Sequence, residues 1–304
     1  MLYVVVPHRL FPKAGNHLSG RCSRAAPSQG RNLPPAGPVE RAPTKGSRTL
    51  MARFSNKVVL VTGAASGIGE ATARRFAQEG AQLVLADLNE KGLDRVAGEI
   101  GAEAVLTHAT DLSNADRCEE TIAATLARFG RLDVLVNNAG KDHLGRVDEG
   151  DLKDFSVVIE TDLYGVFYMT RFALPHLRKS RGCIVNVSSV SGLGGDWNHS
   201  FYCAAKGAVT NFTRAVALDE AKAGVRVNAV NPSLVYTPFT AGMQDQPDLV
   251  AKFEERIPMG RAAQPEDITG VIAFLASEDA RFVTGVNLPV DGGLSASNGQ
   301  PALS

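Results

Sequence analysis

From Lys57 onward, short and nearly continuous runs of Val, Ile and Leu alternate with segments of helical period, and this alternation restricts the fold more than any other feature. The runs are VVLV (58–61), QLVLAD (82–87), AVLTHATD (104–111), LDVLVNNAG (132–140), CIVNVSS (183–189), VRVNAVNP (225–232) and VNLPVDGG (286–293). Between them lie helical stretches from Gly67 to Glu79, one ending near Ile100, one around 114–128, a long one near 152–179, and one carrying Tyr202. A strand with one wet face alternates apolar and polar residues. A run apolar throughout is buried on both faces, as in a parallel sheet covered by crossover helices. The expected fold is therefore α/β: one doubly wound parallel sheet of about seven strands with right-handed crossovers. Residues 51–304 show no repeat and no second domain.

Residues 1–50 read differently. They hold eight Lys/Arg and one acid, Glu40, with seven prolines from position 7 on and no sustained periodicity. Such a segment cannot bury enough apolar surface to offset its ordering entropy, so disorder is expected. It is Arg-rich and acid-poor, as transit peptides are, but its prolines oppose an amphipathic helix. MARFSNKVVLVTG, from Met51, reads as a domain beginning, and residues 1–50 as an extension upstream of it. LYVVV is too short for a signal-peptide core and is cut off by Pro7. The net charge of the whole chain is zero, so residues 51–304 carry 24 bases against 31 acids, a net −7. That balance gives no electrostatic reason to expect nucleic acid or an anionic membrane as partner. No apolar run approaches the roughly 20 residues that span a bilayer. Cys22, Cys118, Cys183 and Cys203 are scattered, without a C-x-x-C pair or a His cluster. This argues against a zinc site and a disulfide framework, and suits a reducing, cytoplasmic setting.

After the first run comes TGAASGIG, Thr62 to Gly69. Glycine at Gly63, Gly67 and Gly69 lets backbone turn sharply and approach a pyrophosphate, which then faces the free N–H groups of the next helix. A glycine-rich turn alone is weak evidence, but this one sits between an expected strand and an expected helix. Asp87 ends the second run 20 residues after Gly67, where a carboxylate can accept both ribose hydroxyls of an adenosine. Its charge repels a 2′-phosphate, and no Arg or Lys lies in the loop or directly after Asp87, so NAD is expected over NADP. Asp111 at the end of the third run is a candidate adenine contact, with a helix cap as the plainer reading.

SFYCAAKGAV places Tyr202 and Lys206 one helical turn apart on one face. Taken alone, the pair is an ordinary half-buried helix face. Together, however, TGAASGIG, NNAG (137–140), VNVSS (185–189), YCAAK (202–206) and NAVNPS (228–233) resemble the short-chain dehydrogenase/reductase family, in order and over nearly all of 58–293. The resemblance implies a single-domain Rossmann fold, assembled as a homotetramer or dimer. It implies Tyr202 as general acid/base, Lys206 as the cation that favours its phenolate and binds the nicotinamide ribose, and Ser189 as hydrogen-bond donor to the substrate oxygen. A free phenol titrates near 10, so a neighbouring ammonium, together with the oxidised nicotinamide, is expected to bring Tyr202 toward neutrality. Ser188 is the neighbouring alternative, and the 13-residue spacing to Tyr202 selects Ser189. The resemblance also carries cofactor contacts to Ser66, Ile68, Leu88, Leu112, Asn138, Ala139, Gly140, Val235 and Thr237.

Two positions depart from the family pattern. Its fourth catalytic residue is an asparagine whose backbone orders a relay water, and here DLYGVF puts Asp162 there. An Asp backbone can serve equally, but the side chain differs in charge. NPS replaces the more frequent NPG at Ser233.

For substrate, GCIVNVSSVSGLGGDW and the tail RFVTGVNLPVDGGLSASNGQP resemble the branch acting on 2,3-butanediol, acetoin and diacetyl. A small-molecule alcohol or ketone is the expected partner, with Trp197, His199 and the loop from Leu234 to about Arg261 shaping its pocket. The plainer readings are packing under the loop for Trp197, a loop-surface position for His199, and lid-to-core packing for Phe253 and Ile257. The same machinery acting on a cyclic diol, a polyol or a 3-oxoacyl thioester is the first alternative. A non-catalytic NAD-binding regulator is the second, supported only by Asp162.

Overall fold

A computed structural model describes residues 52–101 and 104–300. The expectations for residues 1–50 and for a boundary at Met51 lie outside the described residues. Seven strands form one sheet: β1 (Val58–Thr62), β2 (Gln82–Asp87), β3 (Val105–Ala109), β4 (Val134–Asn137), β5 (Cys183–Val187), β6 (Arg226–Pro232) and β7 (Asn287–Val290). All neighbours are parallel, in the order β3-β2-β1-β4-β5-β6-β7. The helices are α1 (Gly67–Gln78), α2 (Glu90–Ile100), α3 (Ala115–Phe129), α4 (Leu152–Ile159), α5 (Gly165–Ser180), α6 (Ser200–Glu220), α7 (Ala241–Gln244), α8 (Pro247–Arg256) and α9 (Pro265–Ala276).

Residue parity along each strand decides which face it covers. Val59, Val61, Leu83 and Leu85 pack with Phe76 of α1, Leu93 of α2, and Ile268 and Ile272 of α9. Val58, Leu60, Val84 and Leu135 turn the other way, onto Ile122 of α3, Met169 and Leu177 of α5, and Val216 of α6. Both faces are dry, which is why the central strands lack polar alternation. Each such side chain removed from water contributes about 1.5–3 kcal/mol. Pro289 has no ladder N–H to give, and it sits in the edge strand β7, where none is needed on the outer side.

The chain runs outward from β1 through β2 and β3, then returns to the far side of β1 for β4. Loops leaving the C-terminal ends of β1 and β4 therefore diverge, and a crevice opens at this switch point.

Three of the differences from the sequence expectation bear on the site. The single long helix near 152–179 is two helices joined by a π-helical turn, Glu160–Tyr164, which holds Asp162. The wider turn adds a residue without breaking the helix and re-aims the side chains it carries. The third strand stops at Ala109, and Thr110 and Asp111 belong to the loop beyond it. The stretch from Leu234 to Arg261 is not plain loop. It contains α7 and α8, whose Phe253 joins Leu234, Ile257, Ala262, Tyr236 and Met243 in a small apolar cluster of their own.

Candidate active site

The crevice at the β1/β4 switch point is a cleft of about 350 Å³. Its floor begins at Thr62, the last residue of β1. The Thr62 hydroxyl accepts N–H groups from Asn138 (2.9 Å) and Ala139 (3.1 Å), and the Asn138 amide donates to the carbonyls of Thr62 (3.0 Å) and Gly63 (3.2 Å). These bonds tie NNAG to the glycine loop.

Gly63 and Gly67 adopt φ of 65° and 56°, which L side chains rarely tolerate. A Cβ at Gly69 would stand 2.0 Å from the Gly63 carbonyl oxygen, so α1 can approach the loop only with glycine there. Ser66, extended, opens α1 without a side-chain cap, and the first-turn N–H groups face the cleft loop. This cradle matches what a dinucleotide pyrophosphate requires.

Gly63, Ser66, Gly67, Ile68, Asp87, Leu88, Asp111, Leu112, Asn138, Ala139 and Gly140 all line the cleft, as do Val235 and Thr237 from the opposite rim. Thr237 lies over the glycine loop, 3.2 Å from where a Gly67 Cβ would be. Asp87 is fixed by two backbone donors, Ala65 N (3.1 Å) and Asn89 N (2.9 Å). Asp111 instead turns back to its own loop, accepting Ser113 N (3.0 Å) and Ser113 Oγ (2.7 Å), and these bonds hold its carboxyl below the usual range. Helix α3 is capped by Asn114 rather than Asp111.

Helix α6 brings Tyr202 and Lys206 to the inner end of the same cleft, on one face as their spacing predicts. The Lys206 ammonium is 5.4 Å from the Tyr202 ring centroid and donates to the Val187 carbonyl at 3.2 Å. Ser189 lines the cleft beside Tyr202 and lowers its phenol, and the Ser189 hydroxyl oxygen accepts Ser191 N at 3.1 Å. Asn231 of β6 holds the Ser189 carbonyl at 2.8 Å. Ser188 is turned away, toward the Lys206 carbonyl (3.1 Å) and the Thr210 hydroxyl (2.9 Å). Both serines line the cleft, with the Ser188 hydroxyl engaged by α6.

Asp162 does not line the cleft but stands directly behind Lys206, fully buried, with its Oδ2 3.0 Å from the ammonium. The contact is a charge pair rather than an aligned hydrogen bond, and Oδ1 accepts Lys141 N at 2.7 Å. Burial pushes the Asp162 carboxyl up, and Lys206 and the Lys141 N–H pull it only part of the way back. Burial lowers Lys206, but Asp162, Tyr202 and Asp142 together outweigh it and leave the ammonium above its ordinary value. A Cβ on Gly140 would meet Asp162 Oδ2 at 2.8 Å and Lys206 Nζ at 3.3 Å, so glycine there makes room for the pair.

Lys206 by itself does not bring Tyr202 toward neutrality; the expectation counted the oxidised nicotinamide as well. Burial raises the phenol above 10; Lys206 and Ser189 lower it, but Asp162 and Asp142 raise it again. The lysine field is present, and a carboxylate offsets part of it.

Trp197 is 90% exposed and lies outside the cleft, so its ring neither walls the pocket nor packs under a loop. It sits on a loop tip just before α6, where no neighbour covers it. His199 is more than a surface residue. Its ring lies edge-on to Tyr202, centroids 6.3 Å apart, and its two nitrogens contact Asp142 Oδ2 (3.1 Å) and the Trp197 carbonyl (2.8 Å). Asp142 was not singled out by the sequence, and it carries no motif that could have found it. The same holds for Thr110, Lys141, Thr161, Phe239 and Thr240 on the cleft wall.

The model of a family described as "Enoyl-(Acyl carrier protein) reductase" matches residues 63–295. A meso-2,3-butanediol dehydrogenase of Serratia marcescens is 50% identical over 251 residues, covering 83% of this chain and 99% of that protein. The chain is a short-chain dehydrogenase/reductase. A cis-4-hydroxycyclohexanecarboxylate dehydrogenase of Sinomonas cyclohexanicum is 44% identical over 247 residues, covering 80% of this short-chain dehydrogenase/reductase and 98% of its relative. The 3-ketoacyl-(acyl-carrier-protein) reductase of Brucella melitensis, solved in complex with NADH, superposes with a TM-score of 0.74 at 39% identity, covering 79% of this chain and 99% of that one. The protein is thus an oxidoreductase of this family, and no helix among the described residues is long and apolar enough to cross a membrane.

Proposed function

We propose that this short-chain dehydrogenase/reductase uses NAD to interconvert a small secondary alcohol and its ketone, with 2,3-butanediol, acetoin and diacetyl as substrates. The observation that carries the reading is the convergence of Tyr202, Lys206 and Ser189 on the cleft that the glycine loop floors. The nicotinamide supplies or accepts the hydride when bound. Everything else is the work of this chain's residues. First-turn N–H groups of α1 and the open glycine loop receive the phosphates, and Asp87 accepts the adenosine ribose hydroxyls. Asp87 disfavours a 2′-phosphate by like charge, which favours NAD over NADP. Asp111 and Leu112 flank the adenine end, Asn138–Gly140 the middle, and Val235 and Thr237 the nicotinamide end.

In the reducing direction the Tyr202 hydroxyl gives its proton to the substrate oxygen, and in the oxidising direction its phenolate takes one. Ser189 donates a hydrogen bond to that oxygen as charge develops on it. Lys206 stabilises the phenolate and holds a ribose hydroxyl. The butanediol relative, similar over almost its whole length, favours a vicinal diol or hydroxyketone. The relative acting on a hydroxylated cyclohexane acid favours a cyclic alcohol as the second reading. Homotetramer or dimer assembly belongs to the proposal as well.

The test is NADH oxidation with acetoin and diacetyl, repeated with NADPH, alongside cyclohexanediol and an acetoacetyl thioester. Turnover of the other substrates with none on acetoin rejects the substrate assignment. In Tyr202→Phe, turnover falls by about 10²–10⁴-fold while NADH still binds. Unchanged turnover in that variant rejects the tyrosine chemistry.

A further inference from the structure

A lone ammonium beside a phenol is a device for making phenolate. Here the ammonium is not alone. Lys206 is 3% exposed, and its Nζ lies 3.0 Å from the carboxylate of a residue with no exposure at all. The π-helical turn between α4 and α5 aims Asp162 at it, and Gly140 leaves the space in which the two meet. The N–H of Lys141, 2.7 Å from Oδ1, favours the ionised carboxyl over the neutral one. Two opposite charges in one buried contact present a weaker field to a third group nearby than the ammonium alone would.

We propose that Asp162 is a positioning residue that offsets part of the field of Lys206 at Tyr202, so that the free enzyme holds Tyr202 as a protonated phenol and is set up as a proton donor for ketone reduction. The inference rests on the tyrosine chemistry proposed above and adds which protonation state the site stores. An uncompensated Lys206 would leave the cleft with net positive charge and a phenol ready to ionise. With Asp162 present, reduction draws on a donor that stays protonated into alkaline pH, and oxidation waits for pH to supply phenolate.

The other charged groups facing Tyr202 do not restore the balance. From the loop after β4 come Asp142 and the cleft-lining Lys141; from the loop after β5 comes Asp196, and from the start of α6 His199. His199 and Asp142 pair with each other at 3.1 Å, and Asp196 is 3.9 Å from the same ring and accepts the Ser191 hydroxyl at 3.1 Å. Ser189, a neutral neighbour, favours the phenolate, but less than burial and the Asp162 and Asp142 carboxylates oppose it. Burial acts in the same direction as Asp162, keeping the hydroxyl neutral.

The test compares wild type, Asp162→Asn and Tyr202→Phe in butanediol oxidation with NAD, as log(kcat/KM) from pH 6 to 10.5. An asparagine keeps the shape and removes the charge. The limb that reports phenolate is expected to move about one unit toward lower pH, so that kcat/KM relative to its alkaline plateau rises about tenfold at pH 7. A limb that stays in place or moves upward overturns the proposal. Loss of Lys206's partner can cost the fold itself, so a second measurement uses the native residue. Ultraviolet phenolate titration of wild type minus Tyr202→Phe isolates Tyr202 and is expected to place it above the free-phenol value. A wild-type midpoint below that value overturns the proposal even if Asp162→Asn fails to fold. Persisting turnover in Tyr202→Phe defeats the functional reading instead, and the ultraviolet titration still judges Asp162.

Discussion

His199 offers the sharpest test of the charge arrangement outside the lysine pair. Its two ring nitrogens face two acceptors, Asp142 Oδ2 at 3.1 Å and the Trp197 carbonyl at 2.8 Å. A neutral imidazole has one N–H and can satisfy only one of them; the imidazolium satisfies both. The Asp142 bond is the largest cause, and although burial opposes it, the ring is pushed up to about 9 from an ordinary 6.5. A group whose folded pKa is raised stabilises the fold fully below its unfolded value, and loses that contribution as pH rises through the folded one. The contribution is therefore complete below about pH 6.5 and gone above about pH 9. At about 1.36 kcal/mol per unit, the rise corresponds to at most ~3.4 kcal/mol. The imidazole is 21% exposed, and solvent screening brings this to roughly 1–2 kcal/mol. His199→Gln keeps a donor for Asp142 but cannot charge. Thermal unfolding of the two proteins between pH 6 and 9.5 should show a gap of about 2–8 °C at the acid end that closes toward the alkaline end. Gly145 N to Asn198 O (2.7 Å) and Ser200 Oγ to Gly145 O (2.6 Å) hold the two loops together in either protein, so the variant folds. A gap that is constant with pH, or that widens on the alkaline side, refutes the imidazolium bridge.

Two further outcomes follow from the cofactor cleft. Removing the charge in Asp87→Ala should weaken NADH by about ten- to a hundredfold through lost ribose bonds, and narrow its advantage over NADPH by a similar factor; an unchanged NADH/NADPH ratio in paired KM measurements counts against Asp87 as the selector. Gly69→Ala places a methyl 2.0 Å from a backbone oxygen that cannot rotate away, so fluorescence titration should show NADH affinity lost by at least about tenfold, with melting lowered by about 1–3 kcal/mol of overpacking; native affinity would mean that α1 does not need that close approach.

Much of this was legible in the sequence because it depends on short-range rules. Apolar runs broken by helical periods dictate a parallel sheet, and seven strands follow in the expected order of appearance. The glycine loop was readable because positive φ and close approach leave glycine few substitutes, and Asp87 because it ends its strand. Helix α9 left signals too, with Pro265 at its first position, Glu266 and Asp267 in its first turn, and a capping box at Gln264. The π-helical turn left none, since an extra residue in a helix costs no distinctive residue type.

What the chain determined by itself is local: which residues form strands and helices, where backbone must bend, and that Tyr202 and Lys206 share a face one turn apart. What only the tertiary structure decided is which charges meet. Asp162 is 44 residues from Lys206 and Asp142 is 57 from His199, and nothing in residue spacing encodes those encounters. Electrostatics depends on distance through space and on how much water is excluded. The charges around the Tyr202 phenol were therefore brought together only when the π-helical turn and the loop after β4 packed against α6.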